Sequence, residues 1–145
     1  MKTKLTFLLS LTFLFLFSGS VYGEEPEVKK EFYGSGELKK EIHYKNGKKD
    51  GLQTFWHESG QKNRESHYKN GKRDGLDTWW RESGKKKSEF HYKDGRLDGV
   101  ETGWYEDGTK ERELHYKNGK RDGRQTTWYP NGQKESEIYL KNKKK

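Results

Sequence analysis

Four histidines occupy one position of a repeated sequence, and each follows a glutamate by two residues. They are His43, His67, His91 and His115. Such Glu–His pairs suggest a metal site or a general acid–base pair. On a sheet, however, equivalent histidines two strands apart are separated by about 9.5–10 Å, whereas zinc binds imidazole nitrogen at about 2 Å. A catalytic site also needs one asymmetric arrangement with an oriented nucleophile or metal. We therefore predict half-exposed strand histidines, with no catalytic, metal-binding or cofactor-binding residues.

The Asn-Gly or Asp-Gly turn that follows each histidine suggests a second chemistry, which is anion binding. Backbone N–H groups of such turns can cradle an anion, and a basic residue follows each turn. These residues are Lys48, Lys72, Arg96 and Lys120. A row of them would form a basic rim facing lipid headgroups or an acidic envelope polymer. The alternative, which we prefer, is a turn with a solvated basic side chain.

The elements that position these residues repeat every 24 residues without slippage. His43 and His67 are one period apart, as are Trp56 and Trp80. A fixed period of this size is typical of a repeat architecture and has to be interpreted before any single motif. The candidate residues above therefore belong to a structural unit that occurs four times, followed by a partial fifth unit.

Each unit carries two turn signals, such as Asn46-Gly47 and Ser59-Gly60. Asn-Gly pairs accept the positive φ angles of a two-residue hairpin turn. The segments between the turns, at most nine (37–45) and eleven (48–58) residues long, are rich in strand-forming Tyr, Trp, Thr and Ile. We therefore predict an all-β fold, an elongated antiparallel meander or open solenoid of about nine strands.

The Asp-Gly pair after each turn predicts a β-bulge. Side-chain alternation puts Ile42 and Tyr44 on one face. One extra residue at Asp50-Gly51 would bring Leu52 and Trp56 onto that same face, with glycine in the left-handed conformation. The alternative is that the glycine only makes room for a neighbouring ring. The glycines concerned are Gly51, Gly75, Gly99 and Gly123.

Three further sets of residues are predicted to be structural. The tyrosines that follow the histidines should pack on the sheet, the tryptophans should stack as the main packing ladder, and each unit's threonine should pair with a glutamate across the second turn, beginning with Thr54 and Glu65. The tyrosines are Tyr44, Tyr68, Tyr92 and Tyr116, and the tryptophans are Trp56, Trp80, Trp104 and Trp128.

A partner-binding patch is predicted where the units differ. Phe55 and Trp79 occupy a position that Gly103 and Thr127 fill in later units. The first two units should therefore expose extra aromatic surface, and exposed aromatic side chains on a rigid sheet are effective anchors for a partner. We predict that Phe55, His57 and Trp79 form this patch.

The N-terminal segment predicts export. Lys2 and Lys4 precede an apolar run from Leu5 to Phe17, and small residues precede Glu24, which is the layout of a secretory signal peptide. The alternative is an uncleaved membrane anchor, although the run is short for a spanning helix. We predict a signal peptide over 1–23, an N-terminal linker or cap over 24–35, repeats over 36–140 and a basic tail over 141–145.

Composition limits the classes of partner. The chain of 145 residues has a net charge of +8 and no cysteine. The first 23 residues and the C-terminal lysines carry most of the excess charge, so the repeats present a mixed surface and not a nucleic-acid patch. Disulfide and thiol chemistry are excluded. Hydrophobic residues are only 27% of the chain, but the periodic aromatic residues favour a thin repetitive fold over disorder.

The motif Tyr-Lys-Asn-Gly-Lys-x-Asp-Gly, followed by an aromatic pair and Glu-x-Gly-Gln-Lys, resembles the MORN variant repeat over about residues 36–140. In bacteria, similar arrays are often identified as the YwqK-type antitoxin family of toxin–antitoxin systems. The resemblance implies a string of β-hairpins acting as an interaction surface, with no catalytic residues. Better-known MORN repeats are similar in their Tyr, Trp and Gly usage and are associated with membrane lipids and scaffolding.

Together these observations predict an exported, non-enzymatic repeat protein that binds another, unidentified protein. One alternative is an antitoxin that neutralises a toxin by direct contact. A second is a module that binds anionic lipid or an envelope polymer. Nucleic acid is disfavoured by the predicted export and the modest charge of the repeats.

Overall fold

The computed structural model describes residues 25–141, which form one open sheet of ten antiparallel strands in chain order. The predicted all-β meander is confirmed, with ten strands instead of about nine. The predicted signal peptide and the last four residues of the basic tail lie outside the described residues. The strands are β1 (Glu27–Phe32), β2 (Leu38–Lys45), β3 (Lys48–Trp56), β4 (Lys62–Lys69), β5 (Lys72–Trp80), β6 (Lys86–Lys93), β7 (Arg96–Trp104), β8 (Lys110–Lys117), β9 (Lys120–Trp128) and β10 (Lys134–Leu140).

The additional strand, β1, lies within the segment 24–35 that the sequence predicts as a linker or cap. Glu27–Phe32 stands one period before Gly51–Trp56 of β3, so it is a shortened copy of that strand. It pairs with β2 from Glu27↔Tyr44 to Phe32↔Leu38. The segment therefore ends the sheet as an edge strand.

The two turn signals of each unit form different turns. Asn46 and Gly47 have φ angles of 50° and 68°, and the equivalent pairs also have both angles positive, which is the geometry of a two-residue I′ hairpin. In the other turn only the glycine has positive φ, as at Gly60 with 83°. There the N–H of Gly60 donates to the carbonyl of His57 and the N–H of His57 donates to the carbonyl of Gln61. These bonds define a three-residue loop closed by a glycine bulge.

The structure has a register shift at each Asp-Gly pair, where the sequence predicts a bulge. On β2 and β3 the pairing passes from Ile42↔Gln53 to Tyr44↔Lys49. The glycine meets two requirements there. Gly99 has a φ of 124°, and a Cβ added to it would lie 2.8 Å from the His91 Cβ. Both the backbone conformation and the close approach of the histidine therefore require glycine.

The predicted effect of the bulge on the faces is wrong. Three residues of β3, centred on Gly51, oppose the single residue His43 of β2, so two residues are added and not one. An even number of extra residues leaves the alternation of faces unchanged. Leu52 accordingly pairs with His67 on the face opposite Ile42. Residues 54 and 56 share that face with Leu52 by alternation.

One face of the sheet, which we call the ladder face, carries an unbroken row of paired threonines and glutamates. Thr54 pairs with Glu41 on one side and with Glu65 on the other, and the predicted Thr–Glu pairing continues to Glu137. The Thr126 hydroxyl donates to Glu137 at 3.3 Å. Cross-strand pairs of this kind are the unit of sheet stabilisation.

Lysines lie between the tryptophans of the ladder face, so the predicted direct stacking is corrected. Equivalent rings on strands two apart are about 9.5–10 Å from one another, too far for contact. Lys62 instead pairs across from Trp56, lies over the Trp80 ring at 5.7 Å and contacts Glu65 at 2.5 Å. The same Lys–Trp and Lys–Glu contacts recur in the next two units.

Side chains of one unit also bind the backbone of the next. The Asp50 carboxylate accepts the N–H of Asn70 at 2.9 Å, and Asp98 accepts that of Asn118 at 3.0 Å. At the other edge, the Tyr105 hydroxyl donates to the Trp128 carbonyl at 2.8 Å. The aspartates of the first three Asp-Gly pairs therefore fix the following hairpin turns.

We expect Gly99→Ala to lower the free energy of unfolding by about 1–3 kcal/mol, because alanine at this φ is strained and its Cβ would meet the His91 Cβ at 2.8 Å. Urea denaturation followed by tryptophan fluorescence measures the change. Gly34→Ala is the control, since Gly34 has no atom within 4 Å of its Cβ position. Equal losses from the two variants would contradict the assigned role of Gly99.

A second expectation concerns acid stability. The N–H of Asn118 holds the pKa of Asp98 below its ordinary 3.8, with a smaller effect from Lys117, although desolvation opposes the shift. A carboxyl whose pKa is lower in the folded state stabilises the fold above about pH 4, and this contribution is lost as the pH falls through the folded pKa. Asp98→Asn should lower stability at pH 7 and flatten the decline below pH 4 in denaturation curves.

Asp94→Asn is the matched control for this experiment. It makes the same charge change in the hairpin turn four residues before Asp98, at a position where the three other units already have Asn. If the free energy of unfolding falls equally below pH 4 in the wild type, Asp98→Asn and Asp94→Asn, the role assigned to Asp98 is refuted.

Candidate interaction surface

The face opposite the ladder face, which we call the Gln53 face, holds a central row of paired residues that is mostly buried. Gln53, Ser66 and Asp77 are each 1% exposed, and they pair in that order across β3, β4 and β5. Of the described residues, only Ile42 and Leu114 are buried hydrophobic residues. Polar side chains and their partners therefore form most of the buried part of this sheet.

The structure brings Phe55 and Trp79 together on the Gln53 face through Arg64. Arg64 pairs with Phe55 on β3 and with Trp79 on β5. Its guanidinium lies 4.3 Å from the centre of the Trp79 ring, within the range of a cation–π interaction. Two of the three residues predicted for the partner-binding patch are thus neighbours of one arginine.

The carboxylate of Asp77 fixes the position of the Arg64 guanidinium. Arg64 donates to the two carboxylate oxygens of Asp77 at 2.9 and 2.6 Å, a bidentate arrangement with defined geometry. Arg73 approaches the same carboxylate at 3.4 Å. Because Asp77 is almost fully buried, removing both arginines would leave an unpaired buried charge.

Arg73 is fixed between two tyrosines. It donates to the Tyr68 hydroxyl at 3.3 Å and to the Tyr92 hydroxyl at 3.2 Å, and it lies over the Tyr92 ring. Burial opposes its charge, but the Tyr68 hydroxyl and Asp77 outweigh burial and raise the pKa of Arg73 above its ordinary value. Arg73 thus remains a cation with a set orientation.

These residues enclose an open cleft of about 230 Å³ on the Gln53 face. Trp79, Phe90 and Tyr92 form its aromatic walls, and Lys87 adds a third cation beside the two arginines. Asp77 is the one carboxylate among the lining residues. The cleft therefore combines aromatic surface with a net positive charge.

The cleft is not repeated along the array. One unit later Gly103 replaces Trp79, and the guanidinium carbon of Arg112 lies 2.8 Å from the position that a Cβ would take. Arg112 there binds Glu101 and Glu111, each at 2.8 Å. Asymmetry of this kind distinguishes a functional site from a structural position that every unit shares.

His57, the third residue predicted for the patch, lies in the turn after β3. Its Nε2 is 3.4 Å from the Trp80 carbonyl, and Asn63 contacts the ring. Tyr33, Arg81 and Tyr105 make the equivalent link to the next unit in their own turns. Its contacts are therefore those of an inter-unit link, whereas Phe55 and Trp79 flank Arg64.

Three of the four turns predicted to bind anions already use an amide for a bond within the sheet. The N–H groups of Asn70, Asp94 and Asn118 donate to aspartates of the preceding unit. A bound anion would have to displace those carboxylates. The exposed basic residues Lys48, Lys72, Arg96 and Lys120 remain as the predicted anion contacts.

The histidines make local contacts. The Nδ1 of His67 is 3.2 Å from the Leu76 carbonyl, and that of His91 is 2.9 Å from the Val100 carbonyl. His43 contacts Glu41 at 3.0 Å. The ring contacts therefore lie within each hairpin or its neighbouring strand.

The sequence-based hypothesis missed Arg64, Arg73 and Asp77. The register that placed Thr54 opposite Glu65 also places Phe55 opposite Arg64, so Arg64 could have been found by moving one residue along each strand. Phe90 and Tyr92 also line the cleft, and the regular pairing that runs from Gly75↔Tyr92 to Trp79↔Ser88, in register with the predicted Thr78–Glu89 pair, places them on the face of Trp79.

No helix in residues 25–141 is long and apolar enough to cross a membrane. No curated protein matches the chain. The family model described as MORN repeat variant matches five consecutive segments, residues 28–46, 49–70, 73–94, 97–118 and 121–142. These segments cover most of the sheet and follow its 24-residue period, so the chain belongs to the MORN variant repeat family, a family of binding modules.

Proposed function

We propose that this chain is an exported protein that binds another protein through its Gln53 face, with Phe55 and Trp79 as anchors and no catalytic role. The observation that carries the proposal is the unrepeated cleft beside Trp79. Within the described part of this sheet of near-identical units, aromatic walls and fixed cations converge in this cleft, and the equivalent position one unit later is Gly103. Aromatic residues and arginine are the side chains most enriched at binding hot spots.

The ladder face supports the choice of the Gln53 face, because its own residues satisfy its charges. Lys86 contacts Glu89 and lies over the ring of Trp104, and the same arrangement holds one unit later. A partner docking there would have to displace these contacts before making its own. On the Gln53 face the Trp79 ring is half-buried, not exposed, and it lies on a support that is already fixed.

Preorganisation explains how such a site would bind. Arg64 is held by Asp77 and by the Trp79 ring, so little side-chain entropy remains to be lost on association. Burial of the apolar surface of Trp79 and Phe90 against the partner would contribute the hydrophobic free energy of binding. The cations would favour a partner segment with carboxylates or backbone carbonyls.

Export is the part of the proposal that concerns location, and the layout of residues 1–23 supports it. We expect cell fractionation to find the protein in the periplasm, envelope or medium, and N-terminal sequencing to begin at Glu24. Retention of the whole chain in the cytoplasm, together with rescue of cells from a toxic protein, would instead support the antitoxin alternative.

We expect Trp79→Ala to weaken partner capture from the envelope fraction by about 30-fold or more, the effect of losing a hot-spot side chain worth about 2 kcal/mol. Phe55→Ala should weaken capture less, because Phe55 does not line the cleft. Quantitative pull-down against a concentration series measures both, and circular dichroism checks that the sheet persists.

Thr127→Ala is the matched control, since Thr127 occupies the position of Trp79 two units later. Capture should be unchanged in this variant. Equal capture by the wild type and Trp79→Ala would refute the cleft as the binding site. Binding to anionic vesicles that is lost at high salt and is indifferent to Trp79 would favour the lipid alternative.

A further inference from the structure

Exposed apolar side chains are concentrated at the two ends of the sheet. Among the residues described, the large hydrophobic side chains that are exposed number six, and only Leu76 lies away from the ends. The others are Val28 (46%), Phe32 (59%), Tyr129 (47%), Ile138 (55%) and Tyr139 (75%). Strands β2 to β9 each have a neighbouring strand on both sides. The ends thus resemble interior surfaces that lack their neighbour.

The two edge strands are equivalent to strands that pair within the array. β10 stands one period after β8, and β1 stands four periods before β9. Within the chain β8 pairs with β9 through Arg112↔Thr127, Glu113↔Thr126 and Leu114↔Gln125. A β10 edge placed beside a β1 edge would therefore reproduce a junction that the array already contains.

We propose that β10 of one copy pairs antiparallel with β1 of a second copy, in the register that β8 and β9 use. Shifting the internal register by whole periods places Ser136 opposite the partner's Glu31, Glu137 opposite the partner's Lys30 and Ile138 opposite the partner's Lys29. The partner is thus a second copy of this chain, joined end to end.

The charges at the junction are complementary. Each interior glutamate of the ladder face has a threonine on both sides, as Glu113 has. At the edge, Lys30 takes the threonine position and already contacts Glu41 at 2.9 Å. In the proposed junction Lys30 would lie between Glu41 and the other copy's Glu137, which continues the ladder with an ion pair.

Applying the β8–β9 register to the junction between copies predicts two further contacts. Lys110 lies over the Trp128 ring, so Lys134 would lie over the partner's Phe32. Tyr105 donates its hydroxyl to the Trp128 carbonyl at 2.8 Å, so Tyr129 would donate to the carbonyl of the partner's Phe32. Exposed side chains on both edges would thereby be covered.

The junction should be weaker than the internal ones. Pro26 and Glu27 stand where β9 has Asp122 and Gly123, so the glycine bulge is lost and pairing is confined to 29–31. Lysines on an edge strand oppose indiscriminate pairing, and here they select an edge that presents a glutamate. Because the contact joins two different edges, a pair of copies still has one free edge of each kind, and the assembly grows beyond a dimer into an open chain or, where the rotation between copies closes, a ring.

The test is charge exchange between the two edges of the protein in the form purified from its own cells. Sedimentation velocity over a concentration series should show the wild type associating beyond a dimer. Glu137→Lys and Lys30→Glu, each alone, place like charges opposite one another and should lower the apparent association constant about tenfold. In an equimolar mixture of the two variants, every junction between unlike copies again has opposite charges at these two positions, so the mixture should restore association.

Glu82→Lys, an exposed turn substitution with the same charge change, is the control and should associate as the wild type does. Circular dichroism checks that each variant keeps its sheet. A wild type that stays monomeric at every concentration would overturn the proposal. So would association that stops at a dimer, or that is unaffected by both edge variants, or a mixture that fails to recover.

Discussion

A sheet one layer thick has no second layer against which to bury its side chains, so each strand has only its two neighbours to cover it. This constraint explains why the buried row of the Gln53 face is mostly polar. Asp77 and Glu101 are buried beneath arginines from adjacent strands. Long side chains with a charged end can cover a buried neighbour and still reach solvent. In a two-layer fold, a second apolar layer would provide this cover.

In a single layer, the relative position of neighbouring strands also decides which side chains meet on each face. Gly75 and Gly99 let the side chains of His67 and His91 approach closely, and the aspartates Asp50 and Asp98 bind the following turns. These contacts hold successive units in one orientation, so that Arg64 meets both Phe55 and Trp79. The cleft is thus a product of accurate stacking and not of any single unit.

Much of the fold could be predicted from turn chemistry and period. The Asn-Gly turns, the antiparallel meander and the Thr54–Glu65 pairing follow from local rules, and the structure confirms them. The face of Leu52 and Trp56 could not be predicted, because it depends on whether the bulge adds one residue or two. An Asp-Gly pair is compatible with either number, and only the pairing of Tyr44 with Lys49 and of Ile42 with Gln53 in the folded sheet decides between them. Of the site, Phe55 and Trp79 emerged from the differences between units, while Asp77 resembled an ordinary surface aspartate.

Every link between units reaches forward by less than one period. The aspartate-to-turn bond spans 20 residues and the Tyr105-to-Trp128 bond spans 23. A gain or loss of a whole 24-residue unit would therefore leave each remaining link with a partner of the same kind. The number of units can therefore change, one 24-residue unit at a time, without altering the contacts between the remaining units. The length of the sheet can thus vary independently of the residues that form the cleft.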